Sequence, residues 1–366
     1  METKNERIIP FVAVHPGSSL GAELEARGIK QKDFAKMIGM QATHLNAVIK
    51  GKRDITKELA LKLEEHLGIS YKTWIGLQDD YYYDVQAIAK RNKEEQQAIY
   101  EEQSFSSFLN TAILYKRLDI RCVTAKDRLS KMRRMVGNAY SEAAIDSQDE
   151  GFFKHSSKCQ IDEKNMRTWI VLANMAARDV VLDTGYEKGN AHSSAVEIAS
   201  MANKGLLTKK SIQDCLNGRG IGYCFVEKME KAPIDAYCTI RYGRPVIVVT
   251  YRRDDIDSLA FTILHELCHI EHHLGDGCMG FISYDGYEES PYEKEANDYA
   301  RDMLIPVSVW KSIMSVRPKS TYPHVIAKCI ADEAEKYGVS KSIAVSRYKF
   351  ESNVWNVKAY RSGKIN

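Results

Sequence analysis

The sequence predicts a mainly α protein with a small β-sheet, and three observations carry that prediction. Apolar residues return at helical spacing through most of the 366 residues, and the runs end at Gly or begin at a capping hydroxyl. Late in the chain two segments rich in β-branched residues, Gly220 to Val226 and Arg244 to Tyr251, break that period and read as strands. Directly after the second strand comes an apolar helix holding His265-Glu266-Leu267-Cys268-His269. The expected organisation is a five-helix domain over 1–85, a helical connector over 86–150, a helical subdomain over 151–219 and an α+β domain over 220–366.

The chain is long enough for two or three domains with real cores, and a hydrophobic content of 44% with 28% charged residues describes a globular protein. A net charge of +3 is nearly neutral, so a nucleic-acid surface has to come from uneven distribution. No apolar run reaches the length of a membrane span. Ile8 to Val14 is short and interrupted by Pro10, so no signal peptide is expected. The 8 cysteines form no C-x-x-C pair, and reduced thiols in a cytoplasmic chain are expected.

The elements follow in order. Leu20 and Leu24 belong to a first helix stopping before Gly28; Gln31 to Ile38 form a second, ended by Gly39. Ala42 to Lys50 form a third, ended by Gly51, with Leu45, Val48 and Ile49 inward and Thr43, His44, Asn46 and Lys50 on the polar side. Thr56 caps a fourth that ends at Leu67 before Gly68. Two short helices joined by a Gly turn, the second polar on its outward face, form a helix-turn-helix, whose second helix enters the major groove. Residues 26–57 carry eight Lys or Arg against Asp33 and Asp54, a net of +6. Lys50, Lys52 and Arg53 cluster where phosphates would lie. The competing reading is a small bundle with an ordinary basic surface.

Asp79 to Glu102 is acidic and aromatic and reads as a helix leading into the connector. Residues 111–137 reverse the sign, and Thr124 caps a helix with Leu129, Met132 and Val136 on one side. Its basic face either docks on the acidic connector, meets solvent, or makes a second DNA contact. Ser141 to Gly151 is polar and reads as an exposed seam, a place where self-cleavage could occur. Helices are expected around Trp169, Ala195 to Ala202 and Lys210 to Leu216. Asp235 to Ile240 and Phe281 to Tyr284 are further short strands.

H-E-x-x-H sets two imidazoles about 40° apart on a helix, so both reach one side and a zinc ion can bridge them at roughly 2.0–2.1 Å. Glu266 then stands beside the metal as general base. A third ligand is required. Continuing the helix would need Gly at 272 and His at 275, but the chain has His272 and Gly275. The following helix, Pro291 to Pro306, has Ala296, Tyr299, Ala300, Met303 and Leu304 as its apolar stripe. Glu295 borders that stripe and is the expected third ligand, ahead of Glu293, with water in the fourth position. The plainer alternative is a buried helix whose histidines are satisfied by hydrogen bonds.

Two resemblances follow from these residues. Val14-His15-Pro16-Gly17, Gly28-Ile29-Lys30-Gln31, Phe34-Ala35, Gly51-Lys52-Arg53-Asp54-Ile55-Thr56, Leu67-Gly68, Trp74, Leu77-Gln78 and Tyr83-Asp84 resemble the HigA-type, Cro/repressor-like antitoxin family. That resemblance implies a homodimer on palindromic operator DNA and a HigB-like ribonuclease toxin as partner. Candidate DNA contacts are Gln31, Gln41, Thr43, His44, Asn46, Lys50, Lys52 and Arg53. Gln41 stands where the family usually has a small capping hydroxyl.

The second half, through Val246-Ile247, Phe261 to His269, His273, Glu295-Ala296-Asn297, Tyr299-Ala300, Leu304-Ile305-Pro306 and Tyr337-Gly338-Val339-Ser340, resembles the ImmA/IrrE family of zinc metallopeptidases. It implies a zincin-like, gluzincin-type domain that cleaves a repressor protein. Cys268 stands where that family commonly has Gly. The expected function is a DNA-binding, antitoxin-like regulator whose zinc domain hydrolyses a peptide bond in a repressor or in itself. The alternative is an antitoxin that neutralises a HigB-like toxin, with a zinc domain that is structural or sensory.

Overall fold

The computed structural model describes residues 7–137, 161–253, 255–275, 280–284, 290–319, 322–357, 360 and 363–364. The seam from Ser141 to Gly151 lies outside them. The chain divides into two compact units, one of residues 1–103 with 122–129 and one of residues 104–121 with 130–366.

The first unit opens with α1 (Pro16–Ala26), α2 (Gln31–Met37), α3 (Ala42–Ile49) and α4 (Lys57–Leu67). Gly28, Gly39, Gly51 and Gly68 all take positive φ after these helices, the left-handed stop that the sequence predicts. Thr56 Oγ1 accepts from Leu59 N–H at 3.2 Å and caps α4. Leu20, Leu24, Phe34, Leu45, Val48, Leu63 and Trp74 close the core. Burying each such side chain stabilises the fold by about 1.5–3 kcal/mol relative to leaving it exposed. Gly17 permits the closest approach: a Cβ there would lie 1.9 Å from the Val48 carbonyl oxygen, so α1 seats directly on α3 only because residue 17 has no side chain.

α5 (Tyr71–Phe108) completes the five-helix set and runs on through the acidic stretch. Thr124 caps α7 (Ala125–Val136), its Oγ1 accepting from Asp127 N–H at 3.1 Å. Arg128 grips Glu102 through Nε at 2.8 Å and Nη2 at 2.6 Å, and Lys126 meets Glu94 at 2.6 Å. The Ala125 and Lys126 amides donate to Glu95. The basic start of α7 therefore docks on the acidic helix.

In the second unit, α6 (Thr111–Arg117), α8 (Glu163–Arg178), α9 (Asn190–Asn203) and α10 (Lys209–Asn217) precede the sheet. Its strands are β1 (Gly222–Phe225), β2 (Ile234–Arg241), β3 (Arg244–Val249) and β4 (Gly280–Tyr284), in the order β1-β3-β2-β4. β1 runs parallel to β3; β2 is antiparallel to both β3 and β4. α8 covers one face, while Ile247 and Val249 on the other join the core with Ile263, Leu264 and Leu267. Burial on both faces explains why Val246 to Val249 is apolar without alternation.

α11 (Ile256–Cys268) follows β3 and turns into a π-helical segment, His269–His273. Then come α12 (Pro291–Leu304), α13 (Val307–Ser315), α14 (Pro323–Lys336) and α15 (Lys341–Glu351). Among the described residues no helix is long and apolar enough to cross a membrane.

Candidate metal centre and nucleic-acid interface

Asp255 caps α11 by accepting from Ser258 N–H at 2.8 Å, and Leu259, Ile263 and Leu267 bury the helix. One turn before the end stands His265, and the turn closes on His269; both are buried, as is Glu266. The two Nε2 atoms face each other at 3.0 Å. Glu293, from the first turn of α12, reaches both: Oε2 lies 3.1 Å from His265 Nε2 and Oε1 3.3 Å from His269 Nε2.

A tetrahedral ion with bonds of 2.0–2.1 Å sets its ligands about 3.3 Å apart. The three donors already stand at that spacing. The residues present therefore fit zinc.

The surrounding groups orient the donors. His265 Nδ1 lies 3.0 Å from Asn297 Oδ1, so that nitrogen donates and Nε2 is the one turned to the site. His269 Nδ1 lies 2.8 Å from His273 Nδ1, and the Phe281 ring stacks on His269 at 4.2 Å. Ser283 Oγ donates to Glu266 Oε1 at 2.6 Å, whereas Oε2 is buried with no hydrogen-bond partner among the described residues.

Electrostatics separate the two carboxyls. Burial pushes Glu266 up, against the pull of His265, His269, the Ser283 hydroxyl and the Cys238 thiol. Burial would raise Glu293 as well, but hydrogen bonds from both imidazoles overcome it and hold this carboxyl down at about 2. For His265, burial lowers the imidazole, yet Glu293 and Glu266 outweigh it and the net shift is upward. Glu293 is thus a fixed anion, while Glu266 is the carboxyl disposed to exchange a proton.

The expected third donor is corrected by this geometry. Glu295 does not meet the His265–His269 pair; its Oε2 lies 3.3 Å from His273 Nε2, and its side chain is 57% exposed. The buried line of α12 is Ala296, Ala300 and Leu304. Glu293 stands three and seven residues before the first two, in the middle of that line, whereas Glu295 lies one position round the helix beside Tyr299. Asn297, one turn from Glu293, was detectable by that same spacing. Phe281 and Ser283 share one face of β4, and only the sheet topology brings them to the site.

β3 leads into the metal helix but is paired on both sides, by β1 and β2. β1 and β4 are the edge strands of the described sheet, and β4 carries Phe281 and Ser283. A cleft of about 990 Å³ opens beside the site, lined by Tyr251, Phe261, His265, Ser283, Glu293 and Asn297 among others.

In the first unit, Gln31, Gln41, Thr43, Lys50, Lys52 and Arg53 are exposed, and His44 and Asn46 are half-buried. They occupy the first turn of α2, the length of α3 and the turn after it. Gln41 precedes α3 without a side-chain cap bond, leaving its first N–H groups available to an anion. Arg53 Nη1 lies 3.2 Å from His44 Nε2, tying the basic turn to α3.

Comparisons with known proteins meet both regions. The helix-turn-helix family profile matches residues 20–74, and the IrrE N-terminal-like domain of the M78 peptidases matches residues 223–349. Virulence-associated protein I of Dichelobacter nodosus is 30% identical over 70 residues, which are 19% of this chain and 65% of that protein's length. An addiction module antidote protein of a HigA family from Coxiella burnetii is 29% identical, covering 23% of this chain and 92% of that one, with a TM-score of 0.21. Antitoxin HigA of Pseudomonas aeruginosa, solved with the higBA promoter, is 26% identical and covers 22% of this chain and 89% of its own, also with a TM-score of 0.21. The chain thus joins a helix-turn-helix domain of the Cro/repressor-like kind to an IrrE N-terminal-like domain of the M78 peptidase family.

Proposed function

We propose that the protein is a cytoplasmic, DNA-binding regulator of antitoxin type whose second unit is a zinc-dependent endopeptidase. The observation that carries the enzymatic half is the convergence of His265, His269 and Glu293 at ligand spacing, with the buried carboxyl of Glu266 alongside. When bound, zinc polarises a scissile carbonyl and lowers the pKa of its water. Glu266 takes the proton of the attacking water and passes it to the leaving amine. Ser283 holds one oxygen of Glu266 and leaves the other unengaged for that transfer. The edge of β4, unpaired among the described residues, offers main-chain groups to an extended peptide, laying it along the cleft. The substrate class is therefore a protein segment that can be drawn into an extended conformation, in a repressor or in this chain.

For the DNA-binding half, the support is the exposed polar side of α3 beside Lys50, Lys52 and Arg53. A homodimer on a two-fold operator and a HigB-like toxin as partner complete the proposal. The deciding experiment measures metal content of the purified protein beside His265→Ala and Glu293→Ala. A tightly held zinc in the wild type, with one fewer per chain in each variant, supports the site. A wild type that takes up no metal from supplied zinc overturns the peptidase reading.

A further inference from the structure

We propose that Cys268, His273 and Glu295 form a second site, for a thiophilic divalent cation, coupled to the first through the contact between His273 and His269. Their ligand atoms all lie within 4.8 Å of one another. One thiolate, one imidazole and one carboxylate are a donor set that zinc, cobalt and cadmium accept.

Three further observations point to an ion here. His273 has a side chain only 4% exposed, and its Nε2 is buried with no hydrogen-bond partner among the described residues, although Glu295 Oε2 is 3.3 Å away. The pair is close but not aligned as donor and acceptor. In a regular α-helix, Cys268 and His273 would point about 140° apart. The π-helical turn, closed by Leu274 N–H on the His269 carbonyl at 2.8 Å, widens the helix and brings both to one side. Finally, Cys268 is fully buried while Glu295 is largely exposed, so the site has a closed sulfur end and an open carboxylate end through which an ion arrives.

The coupling follows from one proton, and it alone rests on reading His265, His269 and Glu293 as the first site. For His269 to keep its Nε2 lone pair, its Nδ1 must donate across the 2.8 Å contact to His273 Nδ1. Neutral His273 then carries its own hydrogen on Nε2, the atom the second ion would take. For an ion to take Nε2, neutral His273 must carry its hydrogen on Nδ1 instead, where it meets the Nδ1–H of His269 and the contact is lost. His269 then loses support, so each ion weakens the other, and by equal factors.

Cobalt(II) titration of the full metal-free chain tests this without any activity. The three ligands of the first site include no thiol, so near-ultraviolet thiolate-to-cobalt absorption that depends on Cys268 reports the second site. In the wild type it should grow only after the first equivalent, and in His265→Ala with the first. Cys268→Ser should remove it, and Glu295→Gln should weaken cobalt binding there about 10-fold or more. Glu293→Gln replaces His265→Ala if circular dichroism shows the latter unfolded. No thiolate absorption in either wild type or first-site variant overturns the proposal, as does absorption unchanged in Cys268→Ser. Absorption with the first equivalent in the wild type as well would keep the second site and overturn the first-site reading behind the coupling.

Discussion

Oε2 of Glu293 lies 3.1 Å from Nε2 of His265, and two positions further along α12 the carboxylate of Glu295 faces a different imidazole. Neighbouring acids on one helix thus serve different histidines. Glu293→Gln should lower zinc affinity by well over 100-fold, whereas Glu295→Gln should lower it by no more than about 10–100-fold, the range for groups that act behind a ligand. Competition with a chelator of known affinity measures both. Equal losses would remove the distinction.

Glu266 offers a cleaner separation of binding from chemistry. Glu266→Gln keeps the shape and can still accept from Ser283, so metal content and melting temperature should stay near wild type. Cleavage of a protein substrate should fall by at least about 10²–10⁴-fold, as expected for loss of a general base. Mass spectrometry of the reaction products checks this.

Asp257 makes stability depend on pH. It lies in the first turn of α11, accepts from Ser342 at 3.0 Å, and burial raises its carboxyl to about 6. The unfolded value is near 3.9. A folded value above the unfolded one means that the stabilising contribution is present below about pH 4 and is lost as pH rises through about 6. Asp257→Asn should therefore stabilise the second unit by about 1–2 kcal/mol at pH 8, and by much less at pH 4. Denaturant unfolding at the two pH values reads the difference.

Lys52 and Arg53 stand exposed beyond α3. Replacing both with Ala should weaken binding to DNA upstream of the protein's own coding sequence. It should also flatten the plot of log affinity against log salt by about 0.9 for each phosphate that is no longer neutralised. An unchanged slope would place the DNA elsewhere.

The sequence displays the first unit well because its signals are local. Gly28, Gly39, Gly51 and Gly68 each stop a helix by backbone conformation alone, and Thr56 caps the next within three residues. The H-E-x-x-H pair is legible for the same reason: one helix carries both histidines. Glu293 and Glu295 differ by the rotation of a second helix about its axis, which the apolar stripe reveals only when read back to the Ala296 line. Ser283 and Phe281 come to the site through β4, and no spacing announces which strand takes the sheet edge. The widened turn at His269 carries no residue signature, because its backbone bond pattern is set by how the segment packs.

That turn makes the number of residues part of the chemistry. An α-helix holding one surplus residue has a fixed phase before the bulge and another after it. His265, Glu266 and His269 belong to the first phase, and His273 belongs to the second. Deleting one residue between His269 and His273 would leave every ligand of the first centre in place and swing the distal imidazole off Glu295. Chains that share the same histidines but differ by one residue in this interval would thus keep the His265–His269–Glu293 cluster and change what stands behind it.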